Sequence, residues 1–133
     1  MGKTNLSGVK AIQWGLTHEE TALKEFEDNT KKQVVKTGLW LHECGFLGAS
    51  PDGLVGEDSI VEVKCPFSHR NSTIEELKND KKYCLDENLC LRQSHVYFHQ
   101  IQGLLHITKR SVCHLVVWTP TLYIQVDVLQ DLD

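Results

Sequence analysis

Apolar and polar positions along the chain alternate between two periods. From Trp14 to Phe26 they recur at helical spacing, with Leu16, Ala22, Leu23 and Phe26 as one apolar stripe. Thr17 reads as the N-cap of this helix, followed by Glu19 and Glu20 in the first turn, while residues 1–13 carry little pattern. Gln33–Lys36 and Leu39–Cys44 read as short strands joined at Gly38. Ser50-Pro51-Asp52-Gly53 is a β-turn sequence, Gly56-Glu57-Asp58 turns a hairpin, and Ile60–Cys65 is the next strand. Pro66, which lacks a ladder donor, ends it. Ser72 or Thr73 caps a short helix with Glu75 and Glu76 early and Lys78, Lys81 and Lys82 late. Val96–Thr108 is a largely buried helix with Tyr97, Gln100, Ile101, Leu104 and Leu105 on one side. Val112–Trp118 and Leu122–Val128 then alternate as strands around Thr119-Pro120-Thr121. Helix, three or more strands, helix, strands: the order predicts an α/β sandwich with a mixed central sheet.

Several polar residues break this pattern. Glu62 and Lys64 stand two apart on a strand, so they project from one face about 7 Å apart, while Val61, Val63 and Cys65 point the other way. Asp52 precedes Glu62 by ten residues. Two carboxylates beside a lysine suit a divalent cation that attacks a phosphodiester: the acids hold the ion, the ion activates water, and the ammonium offsets charge growing on phosphate. Taken singly, the turn and the strand also read as ordinary surface structure. Glu19 falls on the apolar stripe, which is costly for an acid without a partner, or it simply favours the helix N-terminus. Gln100 is an amide on an inward face, in role either a core amide or a site residue. The His42–Cys44 and His95–His99 pairs lack the further ligands a zinc site needs and read as structural. Cys65, Cys84, Cys90 and Cys113 lack the tight runs common in iron–sulfur sites.

The 133 residues, 41% hydrophobic and 24% charged, suit one domain of ordinary globular composition. No apolar run approaches the roughly 20 residues of a membrane span, and the first thirty residues show no signal-peptide core. Five cysteines without framework spacing fit reduced thiols in an intracellular compartment, nuclear or cytoplasmic. A net charge of −4 supplies no global footprint for nucleic acid, although metal-binding acids inflate that count.

Ser-Pro-Asp-Gly, the ten-residue step to Glu62, and Glu-x-Lys-Cys-Pro-Phe-x-x-Arg over 62–70 together resemble the PD-(D/E)xK nuclease core. The resemblance is closest to its λ-exonuclease or YqaJ-type viral recombinase branch, and it covers residues 14–128 of a single domain spanning 1–133. Gly-x-x-x-Glu-x-x-Ala at 15–22 and His-x-Tyr-x-x-Gln-x-Gln-Gly at 95–103 match further segments of that branch. The resemblance implies a restriction-endonuclease-like fold and a Mg²⁺-dependent DNA exonuclease, with Mn²⁺ able to substitute. It implies Asp52, Glu62 and the Val63 carbonyl as metal ligands, Glu19 as a further acidic one, Lys64 as the group that activates water, and Gln100 as the residue that positions the water or Lys64. Arg70, six residues past Lys64, has a counterpart in that branch; with Lys81 and Lys82 it reads as a solvated face that becomes the surface for DNA contacts, together with Ser50, if it borders the metal site. Degradation of linear duplex from the 5′ end and a ring-shaped trimer also follow from it, although the phage enzymes' basic residue for the 5′ phosphate has no counterpart before Trp14. The rival reading is a non-catalytic DNA-end-binding or recombination-accessory domain on the same fold.

Overall fold

The computed structural model describes residues 6–36 and 51–131, with side chains from residue 8 onward. The expected strand Leu39–Cys44, with His42 and Cys44, and the expected DNA contact Ser50 lie outside the described residues. The first element, α1 (Leu6–Thr30), runs for 25 residues. It therefore starts well before Trp14, and Thr17 lies inside it rather than capping it. No proline interrupts the segment, and its Ala, Leu, Lys, Gln and Glu residues are good helix formers that carry the helix through Gly15.

The inward row of α1 also differs from the expected stripe. It follows i, i+4 spacing through Trp14, His18, Ala22 and Phe26; Ala22 and Phe26 are fully buried, and the two rings before them are half-buried. Leu16 lies well round the helix from this row at about 100° per residue, and it is 71% exposed. The Trp14 ring packs at a tilt against His18, 4.2 Å between centroids, and His18 in turn stacks 5.0 Å from Trp118, so the row docks on the sheet through rings as well as aliphatic groups. Glu25 adds a polar tie, its Oε1 accepting the Trp118 indole N–H at 3.0 Å. The helix ends where Thr30 Oγ1 donates to the Phe26 carbonyl at 2.7 Å and Lys31 turns left-handed at φ 61°.

Four strands follow: β1 (Gly53–Val55), β2 (Ser59–Lys64), β3 (Val112–Thr119) and β4 (Leu122–Leu129), hydrogen-bonded in that order. The β1–β2 and β3–β4 pairs are antiparallel hairpins, whereas β2 and β3 run parallel. A parallel pair needs a crossover. Here it consists of a 3₁₀ turn (Phe67–His69), α2 (Ile74–Asn79) and α3 (Val96–Thr108). The expected strand Gln33–Lys36 is reduced to one antiparallel bridge, in which Val35 and Leu54 exchange N–H···O bonds of 2.9 and 2.8 Å. Thr73, rather than Ser72, caps α2: its Oγ1 accepts the Glu76 N–H and Glu76 returns the bond to the Thr73 N–H. His95 caps α3, its Nδ1 accepting the Tyr97 N–H at 3.0 Å.

Strand alternation sorts the core into two layers. Val55, Val61, Val63, Val116 and Trp118 face α1, whereas Ile60, Cys113, Leu115 and Val117 face α3 and the loop before it. Glu62 and Lys64 share the parity of Ile60, so their Cα–Cβ bonds leave the sheet on the α3 side.

Gly53, the last residue of the turn sequence, is enclosed. A Cβ there would stand 2.2 Å from Val34 Cγ1 and 3.1 Å from Val61 Cγ1. Valine is stiff at χ1, and the Val34 N–H is itself held by Glu27 Oε2 at 2.7 Å, so neither neighbour yields cheaply. Gly53→Ala is expected to destabilise the protein by about 1–3 kcal/mol in urea denaturation. Gly15→Ala, whose new methyl meets nothing within 4 Å, should stabilise it by about 0.5–1 kcal/mol. Equal effects at the two positions would show that the Gly53 enclosure has no energetic weight.

Candidate active site

Asp52 and Glu62 are drawn together by backbone donors. Glu62 Oε1 accepts the Asp52 N–H at 3.0 Å, and Asp52 Oδ2 accepts the Val63 N–H at 2.7 Å. Each carboxylate thus binds the backbone of the other's neighbourhood, across the β1–β2 hairpin. The pairing of Gly53 with Val61 fixes this registry, because it brings the residue before β1 alongside Glu62. The ten-residue step is the length of the hairpin that brings both acids to one end.

The electrostatics of the pair are unfavourable as they stand. Burial, then the Asp52 charge, pushes the Glu62 carboxyl up to about 8, against the pull of Lys64 and of the Asp52 N–H. Asp52 is also raised, by burial, although the Val63 N–H, Lys64 and Lys36 oppose it. Glu19 is raised by burial and by Asp52, and its own charge in turn raises Glu62. Three acids from α1, a turn and a strand therefore share one electrostatic neighbourhood. The half-buried Glu19 sits there because it borders the inward row of α1.

Lys64 is the cation of this neighbourhood, and its Nζ lies 4.1 Å from the centroid of the Tyr97 ring. Gln100 is placed differently from expectation. It is exposed, at the rim of a stripe whose buried members are Ile101, Leu104, Leu105 and Thr108. A step of three residues turns the helix about 300°, which sets Gln100 beside the inward line rather than on it. Gln102, the second glutamine of the motif, turns to β4 and binds the Leu129 carbonyl at 2.9 Å.

The donor set is all oxygen and crowded with negative charge, which suits a hard divalent cation. Among the described residues no three His, Cys, Asp or Glu side chains converge closely enough to enclose an ion by themselves. Mg²⁺ is ordinarily held by one or two carboxylates, with waters or phosphate oxygens completing its shell, so the Asp52–Glu62 pair fits it. Among the described residues, zinc and iron–sulfur chemistry do not fit the cysteines: Cys84 and Cys113 are buried, Cys90 is exposed, and Cys65 stands beside the acids with its thiol pushed up to about 11 by burial and by Glu19 and Asp52.

The expected phosphate contacts are more dispersed. Arg70 packs over the Phe67 ring at 3.8 Å and donates from Nη1 to the Phe67 carbonyl at 2.7 Å, so it closes its own turn. Lys81 and Lys82 are exposed just after α2. Lys81 borders a cavity that it shares with Lys78, Arg92, Asp86 and Glu87, a surface of mixed sign. Sequence reasoning gave no role to His69, which links these two regions: its Nδ1 lies 2.9 Å from Ser72 Oγ and its Nε2 2.7 Å from Asp80 Oδ2. It also passed over Tyr97, which meets Lys64, and over Trp14 and His18, which dock the helix that carries Glu19. The i, i+4 spacing of Trp14, His18 and Ala22 was the available signal for the last two.

A mixed sheet between helices, with an aspartate entering one hairpin strand and Glu-x-Lys on the next, is the PD-(D/E)xK nuclease core. The chain belongs to the YqaJ-like viral recombinase domain family, whose profile matches residues 2–111. It is 26% identical to the alkaline nuclease of Orgyia pseudotsugata multicapsid polyhedrosis virus, over 63% of this chain and 25% of that one. In three dimensions it is similar to the alkaline exonuclease LHK-Exo of Laribacter hongkongensis, with TM-score 0.65 and 28% identity across 91% of this chain and 59% of that one. The LHK-Exo complex with dAMP matches with TM-score 0.66 and 27% identity, across 98% of this chain and 62% of that one. The chain therefore spans less than two thirds of each of these relatives.

The raised Glu62 fixes the sign of a pH effect. Below its ordinary value of 4.5 both folded and unfolded chains carry the proton; as pH rises toward about 8, only the folded chain retains it. In chelator, stability should therefore fall as pH rises through this window. Glu62→Gln should flatten the slope and leave the variant more stable than wild type above pH 8 by on the order of 1–3 kcal/mol. Urea denaturation at stepped pH measures it; a slope unchanged by the substitution would mean the acids are not in conflict.

Proposed function

We propose that this chain is the catalytic core of a Mg²⁺-dependent deoxyribonuclease that hydrolyses phosphodiester bonds of linear double-stranded DNA. It acts as an exonuclease in recombination or DNA processing. The observation that carries the reading is the Asp52–Glu62 lock with Lys64 two residues further on: two crowded carboxylates beside an ammonium. A DNA-end-binding domain without catalysis gains nothing from such acids, which repel phosphate. The exonuclease and nuclease activities named for the relatives above support the same conclusion.

In this reading Asp52, Glu62 and the Val63 carbonyl hold Mg²⁺, which Mn²⁺ replaces, and Glu19 is a further acidic ligand, direct or through water. When bound, the ion lowers the pKa of a water and offsets charge on the phosphate. Lys64 orients or deprotonates the attacking water and stabilises the transition-state charge. Arg70, Lys81 and Lys82 contact phosphates, and Ser50 approaches the DNA from the turn before Asp52. The same reading has the enzyme attack 5′ ends, assemble as a homo-oligomer and work in a reducing intracellular compartment.

The test is degradation of linear and circular duplex DNA with Mg²⁺ or Mn²⁺, for wild type and Lys64→Ala. Wild type should degrade the linear form only, stop in chelator, and lose about 100-fold or more in rate on substitution. Substrates labelled at each end report polarity. No metal-dependent cleavage would favour the DNA-end binder, and cleavage that survives Lys64→Ala would remove Lys64 from the mechanism.

A further inference from the structure

The motif His-x-Tyr-x-x-Gln ends on an exposed glutamine, but its tyrosine reaches the site. Lys64 and Glu62 share one face of β2, where a lysine on a flexible four-carbon stem would ordinarily fold onto the adjacent carboxylates. It does not do so here. Among the described residues no carboxylate lies within the 4.0 Å of an ion pair from the Lys64 ammonium. The ammonium instead sits over the Tyr97 ring, 4.1 Å from its centroid, where the negative face of the ring attracts it.

The ring is well fixed. Tyr97 stands in the first turn of α3, its N–H held by the His95 N-cap at 3.0 Å, with the His95 ring 4.5 Å away and the α3-side core behind it. We propose that Tyr97 is the positioning residue for Lys64: its ring keeps the ammonium beside Asp52 and Glu62 without letting it collapse into their ion position. His95 supports it by capping the helix that carries the ring. This assigns to Tyr97 the holding role that the family resemblance had offered to Gln100, and it rests on the role of Lys64 given above. A lysine paired to Glu62 would compete with an incoming cation and point its donors away from the attacking water.

Two measurements on wild type, Tyr97→Phe, Tyr97→Leu and Lys64→Met test it. In NMR, the Lys64 ε-methylene protons, assigned by their loss in Lys64→Met, should be shifted upfield by the ring in wild type and Tyr97→Phe and return to ordinary values in Tyr97→Leu. In nuclease kinetics on linear duplex with Mg²⁺, Tyr97→Leu should lose about tenfold in kcat with KM unchanged, while Tyr97→Phe stays within about threefold of wild type. No upfield shift in wild type would overturn the contact. A shift lost in Tyr97→Leu with kcat intact would overturn its positioning role, and Tyr97→Phe as impaired as Tyr97→Leu would assign the effect to the hydroxyl. Full activity in Lys64→Met would instead remove the underlying reading of Lys64, whatever the NMR shows.

Discussion

Two acidic side chains are held at one end of a hairpin by hydrogen bonds that each accepts from the backbone at or next to the other. Asp52 takes the Val63 N–H and Glu62 takes the Asp52 N–H. Bonds from backbone donors to carboxylates are charge-assisted and stronger than neutral ones. They work only at one registry, because a one-residue slip of β1 against β2 would turn Glu62 to the opposite face. Much of the surrounding structure enforces that registry. The enclosure of Gly53 between Val34 and Val61 lets β1 approach, and the Val35–Leu54 bridge flanks β1 from the far side.

The sheet decides which elements reach this end. Parallel pairing of β2 with β3 places β2 between two strands, so its Val61 and Val63 are covered by α1 while its other face is left to α3. From one side α1 delivers Glu19; from the other α3 delivers Tyr97. The aromatic contacts of α1 bear on the same arrangement: Trp14 meets the edge of Phe67 at 5.7 Å and His18 stacks near Trp118, which anchors the turn of helix that leads into Glu19. An acid on a surface helix would be cheap but remote. Glu19 is costly because it is near.

The lock itself was legible in the sequence, since a β-turn, a hairpin turn and strand alternation suffice to bring Asp52, Glu62 and Lys64 to one end. The helix Val96–Thr108 was equally plain, because its apolar period is strong and polar segments bound it. What failed was edge placement. Leu16 has the same hydrophobicity as Leu23, and only the position of the sheet decides that one is exposed and the other buried. Gln100 failed likewise, being one helical step from Ile101 and thereby past the rim of the packed stripe. The start of α1 was missed because residues 6–13 mix glycine, lysine and scattered apolar groups, a pattern that tertiary contact further along the helix overrides. The hold of Tyr97 on Lys64 was not legible, because it joins two elements 33 residues apart through a contact that no periodicity encodes.

The balance of forces at the site indicates where its missing charge comes from. Two backbone donors and the Lys64 charge all lower the acids, yet burial and mutual repulsion still win, and Glu62 rests near 8. Closing Lys64 onto Glu62 would relieve the strain most simply, but the ammonium is held on the Tyr97 ring. Lys36 lowers Asp52 and Glu19 from a distance, but its ammonium pairs with the exposed Glu20. The chain thus gathers negative charge that its nearest cations, Lys64 and Lys36, offset only in part. In the function proposed above, a divalent ion with phosphate oxygens in its shell supplies the remaining positive charge.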